Sequence, residues 1–128
     1  MNRIESRNAV FARIDAMPDL PSIVWSGQSN PGELPRVEVN PGPTINETIG
    51  FDSYSSHMGE VQVIVVVPEG RLAVHQSDSI VRAIELAFPL HDRFGGIIII
   101  EPVDVRPPIV EESEYRVAVF IRYKTIIG

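Results

Sequence analysis

The stretch Gly59–Pro89, GEVQVIVVVPEGRLAVHQSDSIVRAIELAFP, decides the fold. In its first half, valines recur at every second residue, which is the side-chain period of a β-strand. These valines are Val61, Val63, Val65 and Val67. The opposite face, made by Glu60, Gln62, Ile64 and Val66, is polar only at its start. This pattern predicts a central strand whose far end is covered on both sides.

The second half of the stretch predicts a tight turn and an amphipathic helix. Pro68 lacks a backbone donor and Gly70 tolerates a positive φ, so the strand should end in this turn. Small and apolar residues then recur at helical spacing until Pro89 ends the pattern. These residues are Ala73, Ser77, Ile80, Val81, Ile84 and Phe88. The whole stretch therefore predicts a strand with a helix packed on it.

Further patterns extend this unit in both directions. An apolar stripe predicts an N-terminal helix over residues 3–17; it consists of Ile4, Val10, Phe11, Ile14 and Met17. Short strands are predicted at residues 22–26, 34–40 and 97–105. Pro35 indicates an edge position or a late start for the second of these, and Pro102 a break in the third. Tyr115–Ile127 alternates along its length and predicts a half-exposed antiparallel strand.

The predicted fold class is α+β. We expect one domain over residues 1–128, with a mixed, mainly antiparallel β-sheet of about four to six strands. Two helices should pack against this sheet, namely the N-terminal helix and the helix after the central strand. A chain of this length can bury about two-thirds of its unfolded surface, which is sufficient for one core.

Residues 40–58, NPGPTINETIGFDSYSSHM, predict a flexible loop with room for a short strand around residues 44–49. A loop of this length is unusual in a compact domain, and such loops are commonly functional or disordered. The segment also carries Phe51, Tyr54 and Met58, more large apolar groups than a simple linker needs. We predict that it orders against a partner or a neighbouring subunit. The alternative is that these side chains fold back on their own sheet.

The composition argues against several classes of protein. With 44% hydrophobic and 22% charged residues, the chain resembles soluble globular proteins. It has no cysteine, which excludes disulfides and cysteine nucleophiles and fits a cytoplasmic setting. The net charge of −6 argues against a general nucleic-acid binder. The apolar runs are too short to cross a bilayer, and the N-terminus lacks the apolar core of a signal peptide.

No group of residues predicts catalysis, a cofactor or a metal. His57, His75 and His91 lack the spacing of a helical zinc site. Ser77 and Asp78 lie beside His75 on one predicted helix, where the three cannot line up as nucleophile, base and orienting group. Small polar and acidic residues are also favoured in the first turns of a helix, which is the simpler explanation.

The last predicted strand carries the candidate subunit interface. Phe120 lies on its polar face together with Arg116 and Arg122. An aromatic residue among arginines is typical of protein–protein contacts. The alternative is a single exposed aromatic residue, which is common on protein surfaces.

The order of these elements resembles the tail terminator and minor tail protein family of long-tailed bacteriophages. The resemblance runs from about Ala9 to Tyr123 and is strongest over Gly59–Phe88. There a strand opening GEVQVIVVVPEG leads into a helix of pattern AxxxSDxIxxAIELAF. Trp25 and the GQSNPG loop after it also fit the early aromatic strand of that family.

The resemblance implies a structural protein of the virion tail rather than an enzyme, assembled in the bacterial host cytoplasm. Such proteins form a hexameric ring on the head-proximal end of the tail tube. The ring stops tube polymerisation and presents a surface to the head–neck connector. The implied partners are further copies of the chain, the tail tube protein and the connector, with no membrane and no specific nucleic acid. The residues of the 40–58 segment would then contact the tube or a neighbour, and an acidic lumen would let DNA pass.

Two alternatives remain open on the sequence. A head-completion, neck or tail-tube protein would share the structural class, and self-assembly into long tubes would indicate the tube protein. A small ligand-binding α+β domain or enzyme would need a pocket with convergent polar groups. A deep pocket that holds one of the histidines beside carboxylates would favour this last alternative.

Overall fold

The computed structural model describes residues 3–28, 33–49 and 54–126, with side chains described outside residues 44–49 and 54–56. These residues contain two helices, α1 (Arg3–Asp15) and α2 (Ala73–Ala87). The strands are β1 (Ser22–Trp25), β2 (Arg36–Ile49), β3 (Tyr54–Pro68), β4 (Arg93–Phe94), β5 (Ile97–Ile99), β6 (Asp104–Val105), β7 (Ile109–Glu111) and β8 (Glu114–Thr125).

The predicted α+β class is confirmed, although the sheet has more strands than predicted. Its described strands number eight, against the four to six expected. The difference arises after α2, where β4 to β7 are only two or three residues long. Runs this short are below the length at which alternation is recognisable in a sequence. The predicted break at Pro102 is present, because β5 ends before it and β6 begins after it.

The sheet is mixed and mainly antiparallel, in the order β1-β2-β3-β8-β5-β4, with β6 and β7 also paired to β8. Among the described strands, β1 and β2 are the one pair that runs parallel. β3 is central, since β2 pairs along one side and β8 along the other. The prediction of a central strand from Gly59 onward is therefore confirmed.

One face of the sheet forms the hydrophobic core. The valines of β3 at every second position are fully buried, and the matching face of β8 is buried with them. The β8 residues on this face are Val117, Val119, Ile121 and Tyr123. Both helices cover this face: α1 buries Val10 and Ile14, and α2 buries the predicted stripe around Val81 and Ile84.

An arginine joins the ends of the two helices. The Arg13 guanidinium donates to the Ala87 carbonyl at the end of α2, at 3.0 Å, and pairs with the Asp92 carboxylate. It also stacks on the Phe94 ring, at 3.6 Å from the ring centroid. Because Arg13 makes all of these contacts at once, the conformational entropy lost in ordering its side chain is offset by several favourable interactions.

Three sequence expectations differ in detail from the structure. α1 ends at Asp15 rather than at residue 17. β2 begins at Arg36, so Pro35 marks a late start and not an edge position. The largest difference concerns residues 40–58, expected to be a flexible loop with room for a short strand around residues 44–49. That strand is present, but it is part of β2, and the other described residues of the segment also belong to β2 and β3. Pro41 and Pro43 suggested a loop, yet the strand accommodates both around an irregularity in register.

Candidate assembly surfaces

The face of the sheet opposite the helices is open and bears charged residues around an apolar groove. We call it the open face. It carries the side chains of β3 and β8 that alternate with the core valines. Ile64, Ala118 and Phe120 lie in the groove, whose cavity volume is about 380 Å³, and Ile109 borders it. Ile109 is 59% exposed. A groove with an apolar floor and charged borders has the chemistry of a protein contact surface.

Four charged residues form a closed ring of ion pairs at one end of the open face. The Arg36 guanidinium contacts the Glu38 carboxylate at 2.8 Å and the Glu114 carboxylate at 3.0 Å. The Arg116 guanidinium contacts the same two carboxylates at 2.8 and 2.9 Å. Because β2 and β8 flank β3, these pairs must cross over β3. They therefore cover Val66, which explains why that open-face valine is fully buried.

The ion pairs shift the pKa values of Glu38 and Arg116 in the direction that keeps each group charged. Burial alone would raise the pKa of the Glu38 carboxyl, but hydrogen bonds from Arg36 and Arg116 outweigh it and lower the pKa. Burial would likewise lower the pKa of Arg116, but the hydrogen bonds to Glu38 and Glu114 and the attraction of their charges together outweigh it and raise the pKa. The four charges sum to zero, so these four residues together offer no net charge to a partner.

A second charged cluster surrounds Phe120. The Arg122 guanidinium contacts carboxylates of Glu60 at 3.1 Å, Glu101 at 3.0 Å and Asp104 at 3.2 Å. Arg106 pairs with Asp104 at 3.1 Å, and its guanidinium lies 5.3 Å from the Phe120 ring centroid. The Phe120 ring therefore has two arginines beside it, since Arg122 lies 5.8 Å from its centroid on the same strand.

The structure brings the three candidate interface residues onto one surface. Arg116, Phe120 and Arg122 share the half-buried open face of β8. Both arginines are already engaged within the subunit, which sequence reasoning did not foresee. It also missed Glu38 and Glu114 as the partners of Arg116, and Arg36 as the second arginine that these two carboxylates contact. A signal existed: Arg36-x-Glu38 and Glu114-x-Arg116 place opposite charges, in opposite order, on same-face positions of two strands.

The second predicted set, Phe51, Tyr54 and Met58, is only partly described. Phe51 lies outside the described residues. Tyr54 begins β3, and its backbone pairs with Ile49. Met58 is half-buried and borders a small groove with Pro43, Ile100 and Arg122.

The hairpin of β2 and β3 continues beyond the rest of the sheet. The pairing of β1 with β2 ends at Val39, and the pairing of β8 with β3 ends at Met58. Beyond these points, residues 44–49 pair only with residues 54–59 among the described strands. We call the paired segments 44–49 and 54–57 the arm. A two-stranded hairpin is marginally stable by itself in water, so the arm is the part of the sheet that most needs a partner.

Two glycines allow close packing where the arm joins the sheet. A Cβ at Gly59 would lie 2.5 Å from the hydroxyl oxygen of Tyr123, which is buried. A Cβ at Gly42 would lie 2.7 Å from the backbone oxygen of Glu60. Both positions therefore require glycine for lack of space. The base of the arm is consequently packed closely against the sheet.

The described residues contain no arrangement typical of a metal centre or a membrane span. No group of three or more potential ligands clusters among them. Neither described helix is long and apolar enough to cross a membrane. His75 and His91 are exposed, and neither lines the groove of the open face.

Comparisons with known proteins support the fold and also identify a family. A solved protein chain matches with a TM-score of 0.69 and 21% identity, covering 100% of this chain and 98% of its own length. This similarity supports the fold alone. No curated protein sequence matches. A family model described as phage tail terminator protein matches residues 7–123, nearly the whole chain. The chain therefore belongs to the phage tail terminator protein family.

Proposed function

We propose that this protein closes the head-proximal end of the phage tail tube as a hexameric ring of identical subunits. In this role it stops tube polymerisation and presents the surface that joins the tail to the head–neck connector. The observation that carries the proposal is the match of residues 7–123 to the tail terminator family, which makes the protein a structural component of the phage tail. The role is structural and not catalytic, and assembly takes place in the host cytoplasm.

The open face supports a contact between neighbouring subunits. Its groove presents an apolar floor, and Phe120 is held at one side by Arg106 and Arg122. The ion pairs around it are satisfied within the subunit, so a neighbour that covers them leaves no charge unpaired. We assign Arg116, Phe120 and Arg122 to the subunit interface. A contact between this face and a different surface of the next copy would be heterologous, and such contacts generate rings when the rotation closes.

The end of the sheet at the arm supports a contact with the tube or with a neighbouring subunit. Tyr54 and Met58 lie on β3 where β8 pairing ends, and Phe51 belongs to the segment between the two strands of the hairpin. We assign these three residues to that contact. A hairpin that lacks flanking strands gains most from being ordered by a partner.

The net charge of −6 supports a lumen through which DNA passes without binding. Like charges on the ring and the phosphates would keep the duplex away from the wall. Purified rings should therefore show no measurable affinity for duplex DNA at physiological salt. Tight binding at that salt would contradict an acidic lumen.

The test is a tube-capping assay. Purified tail tube protein is polymerised with and without this protein, and the products are examined by negative-stain electron microscopy and light scattering. We expect closed rings, and tubes that bear a ring at one end and no longer grow there. Long tubes made of this chain alone would instead indicate a tube protein. A monomer that leaves tube growth unchanged would contradict the proposal.

A further inference from the structure

The direction of the backbone groups in the arm follows from one hydrogen bond. The His57 N–H donates to the Thr125 Oγ1, at 2.9 Å, so the backbone groups of His57 point towards the β8 side. Backbone groups alternate in direction along a strand, so those of Ser55 point to that side too. The backbone N–H and C=O groups of Tyr54, Ser56 and Met58 therefore point towards β2.

The register of β2 with β3 determines which backbone groups of β2 point away from the hairpin. The partners of Met58, Ser56 and Tyr54 are Ile45, Glu47 and Ile49, which form the hydrogen-bonded pairs of the arm. Thr44, Asn46 and Thr48 consequently direct their backbone N–H and C=O groups away from the hairpin. No described strand pairs with that outer edge, since β1 ends its pairing at Val39.

Among the described strands, the other edges of the sheet are short or blocked. The outer edge of β1 is capped, because the Gln28 side chain accepts a hydrogen bond from the Trp25 N–H at 2.5 Å. β4 and β6 have two residues each. β7 has three, directly after Pro107 and Pro108. Proteins shorten and block edges in this way to prevent unwanted pairing. Residues 44–49 form a longer edge than these, and neither they nor residues 54–56 contain proline, which indicates that these edges have a partner.

We propose that the arms of neighbouring copies pair edge to edge, the outer edge of residues 44–49 in one copy against residues 54–56 of the next. The hairpin favours a second copy as the partner because its two open edges belong to antiparallel strands. The β2 edge of one copy can therefore meet the β3 edge of the next in the antiparallel arrangement that the hairpin already has. Threonine and isoleucine at positions 44, 45, 48 and 49 suit a strand.

This contact is heterologous and repeats with one rotation, so it closes into a β-barrel of two strands per copy at the centre of the ring. A closed barrel removes both open edges of every arm. The inference rests on the proposed ring and adds to it the strands through which the copies join.

Cross-linking of single-cysteine variants tests the pairing, because the chain contains no cysteine of its own. Thr48→Cys and Ser55→Cys chains are assembled together and treated with a short bismaleimide. We expect more covalent dimer in the mixture than in either variant alone, and no more than background in Thr48→Cys mixed with Leu86→Cys. Stronger cross-linking of Thr48→Cys with itself than with Ser55→Cys would overturn the proposal, as would cross-linking of the arm to tube protein only.

A pair of proline variants separates edge pairing from folding. Asn46→Pro removes an outward N–H and leaves the bonds inside the hairpin, whereas Glu47→Pro removes one of those inner bonds. We expect Asn46→Pro to keep the circular dichroism and melting temperature of the monomer while association weakens about tenfold or more. Unchanged assembly of Asn46→Pro into hexameric rings would overturn the edge pairing but would not contradict the proposed hexameric ring. A wild-type chain that forms no ring, in solution or on tubes, would overturn both.

Discussion

The two halves of the β2–β3 hairpin have the same backbone pairing and very different surroundings. In the half nearest the helices, β2 and β3 lie between β1 and β8, and the valines of β3 are fully buried. In the arm, the two strands pair only with each other among the described residues. Pairing alone contributes little, and burial contributes most of the stability. The comparison shows that one hairpin has a half buried in the core of the subunit and a half left without flanking strands among the described residues, which the proposed ring would use as the contact between subunits.

The largest loss of folding stability should come from a substitution in the buried half of the hairpin. Val63→Ala removes two methyl groups from a fully buried position and leaves a cavity. We expect the free energy of unfolding to fall by about 2–3 kcal/mol, measured by urea denaturation. Leu86→Ala is the matched control, because Leu86 is 64% exposed and its truncation should change stability by less than about 0.5 kcal/mol. Equal losses in the two variants would refute the core assigned here.

A substitution at the junction between the two halves should reduce folding stability nearly as much. Gly59→Ala places a methyl group against the buried Tyr123 ring, 2.7 Å from its Cζ. We expect about 1–3 kcal/mol of destabilisation by overpacking, read from the urea midpoint. The double variant Gly59→Ala/Tyr123→Phe removes the nearest atom, the hydroxyl, and should lose less than the sum of the two single changes. Additive losses would show that the two residues do not contact each other.

The ion-pair ring that covers β3 should have a smaller effect, and one that depends on pH. Glu38→Gln leaves Arg36 and Arg116 with one carboxylate fewer, and we expect a loss of about 1–2 kcal/mol at pH 7. Glu69→Gln, at an exposed position, is the control.

The sign of the pH dependence follows from the lowered pKa of Glu38. The folded protein holds this carboxyl ionised at pH values where the unfolded chain binds a proton. The stabilisation is therefore complete above the ordinary pKa of 4.5 and disappears as the pH falls through the lower folded value. The difference between wild type and Glu38→Gln should shrink below about pH 4.5. A difference that grows on acidification would contradict this account.

The smallest effect on the monomer should come from Phe120, although its effect on assembly should be large. Phe120→Glu places a carboxylate on the half-buried surface beside Arg106 and Arg122, so the monomer should lose less than about 1 kcal/mol. We expect ring formation to be lost, as seen by light scattering. Leu86→Glu changes the helix side instead and should assemble normally. Normal rings from Phe120→Glu would remove this residue from the interface.

The sequence predicted the buried half of the hairpin far better than the arm. Alternating valines on β3 and β8 determine which face is covered, and helical spacing around Val81 and Ile84 identifies the helix that covers it. For the arm, the sequence predicts a loop with room for a short strand around residues 44–49; that strand is present, but Pro41, Pro43 and polar residues hide the alternation of the rest. The ring of ion pairs was missed because its members come from strands far apart in the chain, and only the sheet order brings them together.

Hydrogen exchange across the hairpin tests the central claim most directly. The amides of residues 61–67 and 44–49 are compared in the dilute monomer and in the assembled ring, by mass spectrometry of overlapping peptides. We expect slow exchange at residues 61–67 in both states. At residues 44–49 we expect fast exchange in the monomer and slow exchange in the ring. Slow exchange of the arm in the monomer, or fast exchange in the ring, would contradict the account that the arm is completed by assembly.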